Sequence, residues 1–131
     1  MATIELTEST FDDTIKEGTV LVDFWAPWCG PCRQFAPIFE KVSEAHADVV
    51  FAKVNTEEET ALAASAQISA IPTLMAFRDG ICIFQQAGAL GASALESLIE
   101  KIQSLDMDEV RKAVAEQEAA EDSPASGSGS F

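Results

Sequence analysis

Val20-Leu21-Val22-Asp23-Phe24-Trp25-Ala26-Pro27-Trp28-Cys29-Gly30-Pro31-Cys32 is the stretch on which the fold turns. Its first six residues form an apolar run broken once, by Asp23, the pattern of a central strand covered on both faces. From Cys32 the apolar residues recur as Phe35, Ile38, Phe39, Val42 and Ala45, which predicts a helix running to about His46. Pro37 falls inside that helix, where it removes the bond to the Arg33 carbonyl; we read it as structural. A buried strand therefore hands over to a helix within a few residues, and two cysteines stand at the handover.

That position carries chemistry. Cysteines three apart at a helix N-terminus reach each other across one turn, so they can cycle between dithiol and disulfide. The helix start offers unpaired N–H groups and partial positive charge, both of which favour a thiolate at Cys29. Cys32, one turn inside, suits the resolving role. Gly30 lets a substrate chain approach, and Pro31 opens the helix without wasting a donor. Two bland alternatives stand beside this. A lone C-x-x-C can be half a zinc site completed by Cys82 and His46, although no second close pair exists. The cysteines can also be inert filling, for which Gly-Pro and flanking tryptophans are poor company.

Working outward, Val49-Val50-Phe51-Ala52-Lys53-Val54 is a second buried strand. Thr56-Glu57-Glu58-Glu59 has the form of a capping box opening an Ala-rich helix. Pro72 to Phe77 and Ile81 to Gln85 are strands joined through Asp79-Gly80, a hairpin signal. Ser93-Ala94-Leu95-Glu96 is another capping box, before the apolar stripe Leu95, Leu98, Ile99, Ile102. Near the start, Phe11 and Ile15 suggest a short helix ended by Gly18. The class is α/β, in the order βαβαβαββα: a mixed central sheet with helices on both faces.

The chain has 131 residues and a net charge of −14, so phosphate backbones and anionic lipid would repel it. Neither nucleic-acid nor membrane binding is expected, and no stretch approaches the ~20 apolar residues of a bilayer span. Three cysteines do not make a secreted disulfide framework, and the first residues do not read as a signal peptide; a reducing cytoplasm is the expectation. Nine of the ten Phe and Trp residues precede position 105. We expect a domain over 1–104 and an acidic tail over 105–131. Met107, Val110 and Val114 suggest a helical turn or two in that tail, and Ser123 to Ser130 has linker composition.

Trp28-Cys29-Gly30-Pro31-Cys32 after an apolar strand with an interior Asp resembles the thioredoxin family. Ile71-Pro72-Thr73, Gly88-Ala89-Leu90 and Phe51-Ala52-Lys53-Val54 extend the resemblance over residues 1 to about 104. It implies the thioredoxin fold and a general protein-disulfide reductase without bound cofactor. Its reversible Cys29–Cys32 disulfide would be recharged from NADPH by a flavoprotein, thioredoxin reductase. Expected partners are that reductase and disulfide-containing clients, with the chain itself a monomer. A disulfide oxidase or isomerase is disfavoured, since strong oxidants of this superfamily typically carry His between the cysteines. A redox-independent binding or chaperone module is the reading from another class.

Further site residues follow. A buried carboxylate is costly unless paired or protonated; Asp23 reads as a base that deprotonates Cys32, or else as a structurally paired group. The resemblance favours the base. Lys53 is either the charge partner of Asp23 or a lysine snorkelling out at a strand end. Only roughly 5% of X–Pro bonds are cis, but the resemblance places a cis Pro72 beside the cysteines, leaving Ile71 backbone groups free for an extended substrate. Trp28, Ile71, Pro72 and Gly88 would then form an apolar patch around Cys29. Trp25 reads as packing, Cys82 as a strand hydrophobe and His46 as a helix-dipole partner.

Overall fold

A computed structural model describes residues 2–121; the linker-like stretch Ser123 to Ser130 lies outside them. Five strands form one sheet: β1 (Thr3–Glu5), β2 (Thr19–Trp25), β3 (Val49–Asn55), β4 (Thr73–Arg78) and β5 (Ile81–Ala87). Their spatial order is β1-β3-β2-β4-β5. β1 and β2 both run parallel to β3, while β2–β4 and β4–β5 are antiparallel. The mixed sheet is thus as expected. β2 is flanked on both edges and faces, which is why its sequence reads as an apolar run interrupted only by Asp23.

The helices are α1 (Glu8–Ile15), α2 (Gly30–Glu44), α3 (Thr60–Ser65), α4 (Ala92–Gln103) and α5 (Met107–Glu121). On one sheet face Leu21, Phe51 and Leu74 meet Phe35 and Phe39 of α2 and Leu95 and Ile99 of α4. On the other, Val22, Phe24, Val54 and Phe77 meet Phe11 of α1 and Leu62 of α3. Side chains alternate along a strand, so Asp23 follows Leu21 onto the α2 face. There it is fully buried.

Two capping boxes read from the sequence are not formed. The Thr56 N–H and hydroxyl both donate to the Trp25 carbonyl, at 2.8 and 3.0 Å, so this residue prolongs the β2–β3 seam. The helix starts four residues later, at Thr60. Likewise α4 is entered through Gly91, and Ser93 lies inside its first turn. Gly18 ends no helix, because α1 stops at Ile15. Instead its positive φ of 71° shapes a turn tied to the β4–β5 hairpin: the Gly18 N–H donates to Asp79 Oδ1 at 3.0 Å, and the Asp79 N–H to the Gly18 carbonyl at 2.9 Å.

The expected turn or two after residue 105 is the fifteen-residue α5. Met107 is buried, Val110 and Val114 are half-buried, and Arg111 reaches Asp79 at 3.7 Å and Asp108 at 2.7 Å.

Candidate active site

The site is built where β2 ends and α2 begins. Cys29 occupies the N-cap of α2, with extended backbone, and its Sγ accepts the Cys32 N–H at 3.2 Å. A sulfur thus takes the place an Asp or Ser oxygen usually fills at a helix start. A donor aimed at Sγ, together with the helix dipole, favours the thiolate. Cys29 and Cys32 are joined as a disulfide, with Cα atoms 5.2 Å apart. Gly30 and Pro31 supply the first turn of α2. A Cβ built on Gly30 meets nothing within 4 Å, so that flank is open to an incoming chain.

Ile71–Pro72 is cis. The turn brings the Ile71 carbonyl to 3.8 Å from Cys29 Sγ, and the Pro72 carbonyl accepts the Gly88 N–H at 2.8 Å. Gly88 holds a φ of 105°, which a side chain would strain. Trp28 is 65% exposed. Its indole Nε1 donates to Glu57 Oε1 at 2.9 Å, while the Glu57 N–H is held by Asn55 Oδ1 at 2.9 Å. Glu57 is a site residue that the sequence does not single out, because its acidic run has the form of a helix cap and its bond to Trp28 is tertiary. Arg33 Nη1 donates to the Pro27 carbonyl at 2.9 Å, bracing the loop before the cysteines.

Beneath the pair, no protein donor among the described residues reaches either Asp23 oxygen. Burial pushes its carboxyl up to about 7, against the opposing pull of Lys53 and with a smaller push from Glu5. Lys53 stands in register with Asp23 on β3 but forms no ion pair with it; its Nζ lies over the Trp25 ring, 4.6 Å from the centroid. Trp25 packs with Ala26, Cys29, Cys32 and Ile71, as its packing role requires.

The structure therefore gathers Trp28, Cys29, Gly30, Pro31, Cys32, Ile71, Pro72 and Gly88 at one end of the sheet, with Asp23 and Lys53 below. It leaves two residues out. Cys82 is exposed on the edge strand β5, not packed as a hydrophobe. His46 Nε2 pairs with Glu96 Oε1 of α4 at 2.5 Å. Neither joins the cysteine pair, and among the described residues no three His, Cys, Asp or Glu side chains are grouped to hold a metal. No described helix is long and apolar enough to cross a membrane.

A cysteine pair capping a helix, facing a cis proline over a buried carboxyl, defines a thiol–disulfide oxidoreductase. The family model described as Thioredoxin matches residues 2–118, and the chain belongs to the thioredoxin family. It is 54% identical to "Putative thioredoxin 2" of Streptomyces coelicolor, over 90% of this chain and 89% of that one. With "Thioredoxin 1" of Synechococcus elongatus the identity is 41%, over 73% and 92%. Among solved structures, Malassezia sympodialis thioredoxin (Mala s 13) superposes with a TM-score of 0.70 at 33% identity, covering 77% of this chain and 93% of that one. Its activity is that of a thioredoxin-like protein-disulfide reductase, working through the redox-active pair rather than a bound cofactor.

Proposed function

We propose that the chain reduces client disulfides in two exchanges, with Cys29 attacking and Cys32 resolving. The Cys29 thiolate attacks one client sulfur; a mixed disulfide forms and the client's other sulfur leaves as a thiolate, which takes up a proton. The Cys32 thiolate then attacks Cys29 Sγ, the intermolecular bond breaks, and the second client thiol is released. The client gains two electrons and the Cys29–Cys32 pair loses them. Asp23 accepts the Cys32 proton, directly or through water, and Lys53 biases that carboxyl by its field. A base that titrates near neutrality is matched to this task.

Trp28, Ile71, Pro72 and Gly88 form the client platform. The Ile71 backbone pairs with an extended client segment, so recognition reads main chain and apolar surface more than any one side chain. The observation that carries the reading is the placement of Cys29 Sγ at the α2 N-cap, 3.8 Å from the Ile71 carbonyl. Gly30-Pro31 between the cysteines supports a reductant over an oxidase or isomerase. Electrons would come from NADPH through thioredoxin reductase, in the cytoplasm, to a monomeric chain.

The test is reduction of a protein disulfide by NADPH and a thioredoxin reductase, for wild type and Cys29→Ser. Turnover by wild type alone supports the reading. Equal inertness of both would leave a redox-independent binding role for the apolar patch.

A further inference from the structure

One row of the sheet holds three charged side chains. Glu5 of β1 is in register with Lys53 of β3, and Lys53 with Asp23 of β2. In-register residues of neighbouring parallel strands share a face. At a strand spacing of about 4.8 Å, Glu5 and Asp23 stand roughly 10 Å apart with one lysine between them. Lys53 closes an ion pair with neither, because its ammonium lies over the Trp25 ring. One cation thus serves two carboxyls, one buried and one at the sheet margin.

We propose that Glu5 is a positioning residue for the resolving step: by competing for the field of Lys53, it sets the pH at which Asp23 gives up its proton. The inference rests on Asp23 being the base for Cys32. An ionised Glu5 offsets part of the attraction that Lys53 exerts on the Asp23 carboxylate, so Asp23 keeps its proton to higher pH. The charges act in that sense: burial raises the Asp23 carboxyl most, Lys53 pulls it down and Glu5 pushes it up. Glu5 is itself raised by burial and, more weakly, by Glu58, against Lys53. The other neighbours add little charge. Asp23 faces Leu74 across β4. α2 contributes the buried Cys32, held in the disulfide, while its Glu40 accepts the Thr3 hydroxyl at 2.6 Å. Glu5 is only partly covered, at the sheet margin, so replacing it leaves the core intact.

The experiment follows the Asp23 carboxyl carbon by NMR titration of the oxidised protein, in which neither Cys29 nor Cys32 titrates. Wild type, Glu5→Gln and Glu5→Asp are compared, together with the pH profile of the resolving step. Removing a charge about 10 Å away through a partly screened path should lower the Asp23 midpoint by roughly half a unit. Glu5→Asp should return it to the wild-type value, and the resolving-step profile should move with the midpoint. A Glu5→Gln midpoint equal to wild type would overturn the proposal and leave the base assignment standing. A shifted midpoint with an unmoved profile would instead remove Asp23 as the base, and with it the role of Glu5.

Discussion

Lys53 and Asp23 occupy one register position on adjacent parallel strands, yet the ammonium lies over the Trp25 ring, 4.6 Å from its centroid, and not against the carboxyl. Contact would drive Asp23 toward permanent ionisation. At a distance Lys53 only moderates the effect of burial, and the carboxyl is held near neutrality, where it can both take and release a proton.

The first prediction concerns stability. Folded Asp23 holds its proton to about pH 7, against an ordinary value of 3.8. The native state therefore binds more protons than the unfolded chain between those limits, and its stability falls as pH rises through that window. The penalty is fully present above pH 7, at roughly 4 kcal/mol for a shift of this size. Asp23→Asn should therefore gain stability over wild type by about 2–4 kcal/mol more at pH 8.5 than at pH 4. Paired urea denaturation curves at the two pH values check this, and a constant difference between variants would count against it.

The same substitution should slow the second exchange and spare the first. In stopped-flow mixing with a disulfide substrate, Asp23→Asn should form the mixed disulfide at a near wild-type rate and release it about 10-fold or more slowly near pH 7, the usual scale of a lost general base. Equal slowing of both steps would point to a general disturbance of the site.

Glu57 makes a different kind of contribution. Its bond to Trp28 Nε1 fixes an exposed ring beside Cys29. Glu57→Gln can still accept that bond, whereas Glu57→Ala cannot. We expect Glu57→Ala to lower kcat/KM for protein clients a few-fold, a loss of about 1 kcal/mol, with the Gln variant in between. Global stability should change by less than about 0.5 kcal/mol, as for other exposed sites. Steady-state kinetics on a protein and on a small disulfide will separate the client effect from one on chemistry.

α5 is the next test, because the sequence reading closes the domain at residue 104. Met107 is 7% exposed. We propose that the folded unit extends at least through this residue. Met107→Ala should then cost about 2 kcal/mol, the lower end for truncating a buried methionine, without loss of reductase turnover. An unchanged denaturation midpoint would return the boundary to 104.

The strand–helix handover at 20–32, the mixed character of the sheet and the cysteine pair are legible in the sequence because each has a local period, spacing or turn signal behind it. Asp23 is legible as an exception to its own strand. The capping boxes mislead because Thr56 meets the Trp25 carbonyl, a partner distant in sequence that no local pattern reveals. Glu57 is hidden for the same reason: its value lies in reaching Trp28, 29 residues away in sequence. α5 is understated because its apolar stripe is only Met107, Val110 and Val114, too thin to signal fifteen residues. Its anchor, Arg111 to Asp79, is again tertiary.

The most direct test of the central claim is trapping by Cys32→Ser. Without a resolving sulfur, the first exchange should stop at the mixed disulfide. Peptide mapping by mass spectrometry should then find client thiols linked to Cys29, released by a small-molecule reductant, and absent from Cys29→Ser/Cys32→Ser. Adducts carried on Cys82, or no adduct on Cys29, would contradict the assignment of Cys29 as the attacking thiolate.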